Sequence, residues 1–147
     1  MKAKTILVPT DFSEHSDHAL RQALETAKAE KGKILLVHVV HEEIIQCADT
    51  YCLEEAKVEE LKEDIKKSAA KSLRQQIDRF KEFQDVEIEP VVRTGTPYEE
   101  ILKLQKDRQV DMIVIAALGR KGLKKFLLGG VARNVLKGAE CPVLLVK

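Results

Sequence analysis

Two short stretches of this chain carry residue types that could hold an anion. The first, Ala117 to Leu136 (ALGRKGLKKFLLGGVARNVL), combines spaced glycines, a cluster of lysines and arginines, and a paired glycine that opens a helix-like run. Glycine lets a backbone approach a ligand closely, and a helix that starts at Gly129 and Gly130 aims unpaired N–H groups and the positive end of its dipole at whatever lies before it. A phosphate suits such a place. The second stretch is Val8 to Phe12 (VPTDF), where Asp11 follows directly on an apolar run. Asp11 could serve a ligand, or it could bond nearby backbone and start a turn.

Neither stretch is a standard phosphate loop, since G-x-x-x-x-G-K-[ST] and G-x-G-x-x-G are both absent from the chain. A P-loop NTPase and an ordinary dinucleotide enzyme are thereby disfavoured. There is no G-x-S-x-G elbow, and no grouping of His, Cys or carboxylate reads as a nucleophile with its base, so catalysis has no positive support. Arg120, Lys121, Lys124 and Lys125 could contact phosphate or form an ordinary solvated face. His15 and His18 read as surface residues, and His38 as a packed or hydrogen-bonded strand residue. Cys47 and Cys52 match no zinc spacing and read as free thiols.

The elements that must position these groups alternate regularly. Thr5 to Pro9 predicts a strand, and Ser13 offers an N-cap to a helix whose apolar face is Ala19, Leu20, Ala23, Leu24 and Ala27, stopped at Gly32. Lys33 to Val40 is apolar almost throughout, as a strand covered on both faces should be. A polar loop from His41 to Tyr51 leads to a long amphipathic helix from Leu53 to Phe80, with apolar residues at 53, 56, 61, 65, 69, 73, 77 and 80. Val86 to Val92 contains Pro90, which argues for an edge strand. Thr96, Pro97 and Glu99 form a capping-box sequence for a third helix. Asp111 to Ala117 predicts a buried strand, Val131 to Lys137 a short helix, and Pro142 to Val146 a last strand.

The resulting order, βαβαβαβαβ, implies one domain over residues 1–147: an α/β fold with an open, mostly parallel five-stranded sheet and helices on both faces. Ligands of such sheets bind beyond the carboxyl ends of the strands where the strand order reverses. If strands one and four are neighbours there, Asp11 and Gly119 line one crevice.

Composition limits the partners. Twenty-five basic and 24 acidic side chains leave a net charge of +1, so no global field recruits nucleic acid or a membrane surface. No apolar run is long enough for a signal peptide core or a membrane span, and three cysteines cannot all pair within one chain. The expected location is the cytoplasm.

Five ordered segments, ILVPTDFSEHSDHAL, LLVHVV, VRTGTPYEEIL, LGRKGLKKFLLGG and CPVLLV, resemble the universal stress protein family. The resemblance implies a Rossmann-like fold of the adenine nucleotide alpha hydrolase kind, a bound ATP or AMP, and Mg2+ as a candidate companion of the phosphates. Nucleotide-binding members read G-x2-G-x9-G-[ST]; here Gly119 and Gly129 match, while Ala116 and Gly130 stand at the first and last signature positions. By the same resemblance Asp11 would lie beside the ribose or a phosphate-bound metal, flanked by Pro9 and Thr10, and Val39 would offer its backbone to the adenine edge. Ala116, Gly119, Arg120, Gly129, Gly130 and Val131 would complete the nucleotide site. The implied protein is a stress-response regulator that dimerises through its C-terminal strand and contacts an unidentified protein partner. Its rivals are a nucleotide-free interaction module of the same fold and, more weakly, a slow ATPase or phosphotransferase.

Overall fold

β1 (Thr5–Pro9) is an apolar run in which Ile6, Leu7 and Val8 are wholly buried. It pairs in parallel with β2 (Lys33–His41) on one side and β4 (Met112–Ala116) on the other. The computed structural model describes residues 3–43, 46, 54–119 and 128–147. β3 (Ile88–Gly95) joins the far side of β2, and β5 (Val143–Val146) the far side of β4. The sheet order is therefore β3-β2-β1-β4-β5, all parallel.

Parallel neighbours need a crossover, and crossovers are right-handed. The chain winds outward from β1 to β3, then returns and winds the other way through β4 to β5. That reversal places α1 (Glu14–Glu30) and α2 (Glu55–Asp78) on one face, and α3 (Pro97–Asp107) and α4 (Gly130–Gly138) on the other. Each face has its own core. Leu20, Leu24 and Leu73 cover Ile6, Val8, Ile34 and Leu36, while Ile101, Leu104 and Val135 cover Leu7, Leu35 and Ile113.

Several local expectations change. His41 closes β2, opposite Gly95, and does not open a loop; β3 likewise runs past Val92 to Gly95, because backbone pairing with the long β2 carries polar Arg93 and Thr94 along. In α2 the buried positions include Val58, Ala69, Leu73 and Gln76, whereas Ala56 and Leu61 are exposed. Leu53, called as the start of that helix, lies outside the described residues. Thr96 is the N-cap of α3 with Pro97 behind it, but its side chain makes no capping bond, and the Glu99 carboxylate accepts from the Tyr98 hydroxyl instead.

Gly32 does not stop α1 through a left-handed conformation. Lys31 adopts it, at φ 56, while Gly32 has no positive φ; a Cβ on Gly32 would collide with the Ala3 carbonyl oxygen. The glycine is there so that the strand entering β2 can pass the strand entering β1.

Two outcomes follow for stability. Gly32→Ala should cost about 1–3 kcal/mol, because the obstructing atoms are backbone and cannot rotate away, while Lys31→Gly should stay within about 1 kcal/mol of wild type. Urea denaturation of both variants checks this. The second concerns acid. Arg108 at the end of α3 holds Glu89 of β3 by two bonds, at 3.0 and 2.6 Å, and these hydrogen bonds keep the Glu89 carboxyl below its ordinary value. A lowered carboxylate pKa contributes stability that is complete above the unfolded value and is lost as pH falls through the folded one. The stability difference between wild type and Glu89→Gln should therefore be greatest near neutrality and shrink below pH 4.5.

Candidate functional site

The residues at the carboxyl end of β1 form a turn tied by side chains. Ser13 caps α1 by accepting from the Ser16 N–H. Asp11 Oδ1 accepts from the Ser13 N–H at 3.0 Å and from the Ser16 hydroxyl at 2.7 Å, and the Asp11 N–H donates to Ser16 Oγ at 3.2 Å. The turn-forming role of Asp11 is thus present in the molecule. Phe12 takes a left-handed conformation, φ 65, and its ring lies 4.5 Å from that of His38 on β2. His38 Nδ1 is 2.8 Å from the Thr10 carbonyl oxygen. A carbonyl can only accept, so Nδ1 carries the proton.

Across the rim, β4 ends in Ala116, and the next described glycine, Gly119, faces this turn. A Cβ on Gly119 would lie 3.1 Å from Asp11 Oδ2, so the two loops predicted to share a crevice do meet. A substituent there displaces either the carboxylate or the loop. Gly129 lines the cavity and is bonded just beyond the end of β4. Its N–H donates to the Ala117 carbonyl at 2.8 Å, and a Cβ on it would lie 3.2 Å from that same oxygen. This N–H closes the β4–α4 connection on itself. At Gly130, the first residue of α4, no atom of the described residues beyond its own helix and chain neighbours lies within 4 Å of a Cβ position, and Gly129 as N-cap supplies no side-chain bond. Among the described residues, nothing stands against this helix start.

A cavity of about 730 Å³ lies above the ends of β1, β2 and β4. Pro9, Thr10, Asp11, Val39, Ala116, Gly119, Gly129, Gly130 and Val131 all line it. Arg120, Lys121, Lys124 and Lys125 lie outside the described residues, as do Cys47 and Cys52. His15 and His18 sit on α1 and do not line the cavity. Sequence reasoning missed Phe12, Ser16 and His38 as wall residues, and with them Ile65, Ser68, Ala69 and Ser72 of α2 and Pro97 and Ile101 of α3. The spacing 65, 68, 69, 72 is a helical stripe of mostly small residues, which signals one face but not what that face covers.

Asp11 is the one acidic side chain among the described lining residues. No group of three or more His, Cys, Asp or Glu side chains gathers anywhere among the described residues, so they form no all-protein metal cage. A single carboxylate fits the manner in which Mg2+ is held jointly by protein and phosphate oxygens. Among the described residues no helix is long and apolar enough to cross a membrane.

A model of the universal stress protein family matches residues 2–147. The chain belongs to that family. Universal stress protein MJ0577 of Methanocaldococcus jannaschii is 36% identical over 98% of this chain and 94% of its own length. YxiE of Bacillus subtilis is 30% identical over 97% of each. The solved structure of MJ0577 superposes with a TM-score of 0.84 at 31% identity, covering 100% of this chain and 97% of that one. A universal stress protein in complex with cAMP (TM-score 0.70, 24% identity, covering 100% of this chain and 98% of that one) and one from Archaeoglobus fulgidus in complex with dAMP (TM-score 0.66, 22% identity, covering 100% of each) share the fold.

The turn-forming role of Asp11 is measurable without ligand. Asp11→Ala should lower stability by about 1–3 kcal/mol, since the Ser13 N–H loses its acceptor, whereas Asp11→Asn keeps an oxygen in place and should cost less than half as much. Thermal or urea unfolding of the ligand-free variants measures both.

Proposed function

We propose that this universal stress protein binds an adenine nucleotide, ATP or AMP, in the crevice between β1 and β4, and uses occupancy to set a conformation or a partner contact. The observation that carries the reading is the meeting of Asp11 Oδ2 with bare Gly119 in front of the start of α4. Phosphates would sit before Gly130 and Val131, where the helix dipole favours negative charge, and the base would lie toward Val39. The cAMP and dAMP complexes of proteins with this fold support the choice of an adenine nucleotide. Mg2+, when bound with the phosphates, would neutralise their charge, with Asp11 as its protein ligand. The protein acts in the cytoplasm as a homodimer paired through β5, an edge strand whose exposed backbone would otherwise invite aggregation.

Ala116 and Gly130 favour a second reading, a dimeric interaction module without nucleotide, because they replace two of the four signature residues. Losing the hydroxyl of the usual serine or threonine removes about 0.5–1.5 kcal/mol, roughly tenfold in affinity, which weakens binding without abolishing it. Turnover at the usual enzymic pace of about 10 per second has no activated base to support it.

Calorimetric titration of ATP and AMP into nucleotide-free protein separates the two readings. Wild type should bind, Gly119→Val should lose binding with its circular dichroism intact, and Ala116→Gly should bind more tightly. Absence of binding by both wild type and Ala116→Gly would establish the nucleotide-free module. Sedimentation at low micromolar concentration should show a dimer; a purely monomeric species would exclude pairing through β5.

A further inference from the structure

A chain of hydrogen bonds runs from the protein surface, through the interior, to the turn that carries Asp11. Arg79 at the end of α2 and Gln76 one turn before it both donate to Asp17 Oδ1 of α1, each at 2.8 Å. Gln76 is almost wholly buried, at 1% exposure, and its Oε1 accepts from the Thr10 hydroxyl at 2.9 Å. Thr10 Oγ1 in turn accepts from the Phe12 N–H at 3.1 Å.

The direction of every bond in this chain is set at one end. A carboxylate only accepts, so the Gln76 amide must turn its NH2 toward Asp17 and its oxygen toward Thr10. The Thr10 hydroxyl must then give its single proton to Gln76, which leaves a lone pair directed at the Phe12 N–H. Phe12 is the residue held at φ 65, a conformation that non-glycine residues avoid, and it is bonded directly to Asp11. Without a directed acceptor for its N–H, that conformation relaxes and carries the Asp11 carboxylate with it.

We infer that Gln76, which does not line the cavity, is a positioning residue for Asp11: through Thr10 it holds Phe12 in its left-handed conformation and so aims Oδ2 at Gly119. This rests on the nucleotide reading only for its consequence in affinity. The bond chain itself is testable without ligand. Arg79 and Asp17 extend the same chain to the surface, so a change of contact at the end of α2 reaches the crevice by four hydrogen bonds.

The experiment pairs amide hydrogen exchange with ATP titration. In ligand-free Gln76→Met, the Phe12 amide should exchange about tenfold faster or more, with the β1 amides of Ile6 to Val8 unchanged, since loss of one directed bond corresponds to a factor of that order. Thr10→Val should do the same, and Thr10→Ser, which keeps the hydroxyl, should restore the wild-type rate. Gln76→Met should weaken ATP about five- to tenfold in the wild-type background and less than about twofold when Asp11 is already Asn, because the two changes act through one carboxylate. An unchanged Phe12 exchange rate overturns the proposal, as does an equal loss of affinity in both backgrounds, which would mark Gln76 as a general packing residue. A wild type that takes up no ATP overturns the nucleotide reading, and the exchange rates of Gln76→Met, Thr10→Val and Thr10→Ser then decide the bond chain by themselves.

Discussion

The position of β1 between β2 and β4 is the constraint on which the rest depends. Two parallel neighbours on opposite sides require the chain to leave β1 in one direction and to arrive beside it later from the other. With right-handed crossovers this puts α1 and α2 on one face and α3 and α4 on the opposite one. The chains that leave β1 and β4 therefore run to helices on opposite faces, and a crevice opens at the rim between the two strand ends. The cavity is a consequence of topology before any side chain lines it.

What fills that rim is a turn with little freedom. Asp11 Oδ1 is fixed by Ser13 and Ser16, the Thr10 carbonyl by His38, and the Thr10 hydroxyl by Gln76. Each of these partners comes from a different part of the chain, so the turn is determined by α1, β2 and α2 together. A left-handed phenylalanine costs about 1–2 kcal/mol, which the Phe12 N–H bond to Thr10 Oγ1 and the tilted packing of its ring on His38 offset together. The result is a carboxylate anchored through Oδ1, with its second oxygen beside Gly119 at the crevice.

Four of the described glycines divide into two physical roles. Gly32 and Gly129 lie against backbone carbonyls, and their missing Cβ lets two segments of the chain pass each other. Gly119 and Gly130 face the cavity, where the missing Cβ leaves room. The Gly129 N–H is itself part of the packing against backbone, bonded to the Ala117 carbonyl.

The alternation of apolar runs with amphipathic segments was enough to determine the strand count, the parallel sheet and the edge position of β3, because periodicity and a mid-strand proline report burial and hydrogen bonding directly. Ser13 as N-cap and the loops at Asp11 and Gly119 were legible for the same reason: each depends on local backbone chemistry or on the topological rule for open sheets. The exposure of Leu61, the burial of Gln76, the part of α2 in the cavity wall and the bond that ties the Gly129 N–H to Ala117 were decided only by tertiary structure. These depend on which distant group lies opposite, and a sequence read along one dimension carries the donors and acceptors but not their pairing. Gln76 shows this most clearly. In the sequence it is one more polar residue on a charged helix, and its importance comes from Thr10 and Asp17, which lie 66 and 59 positions away.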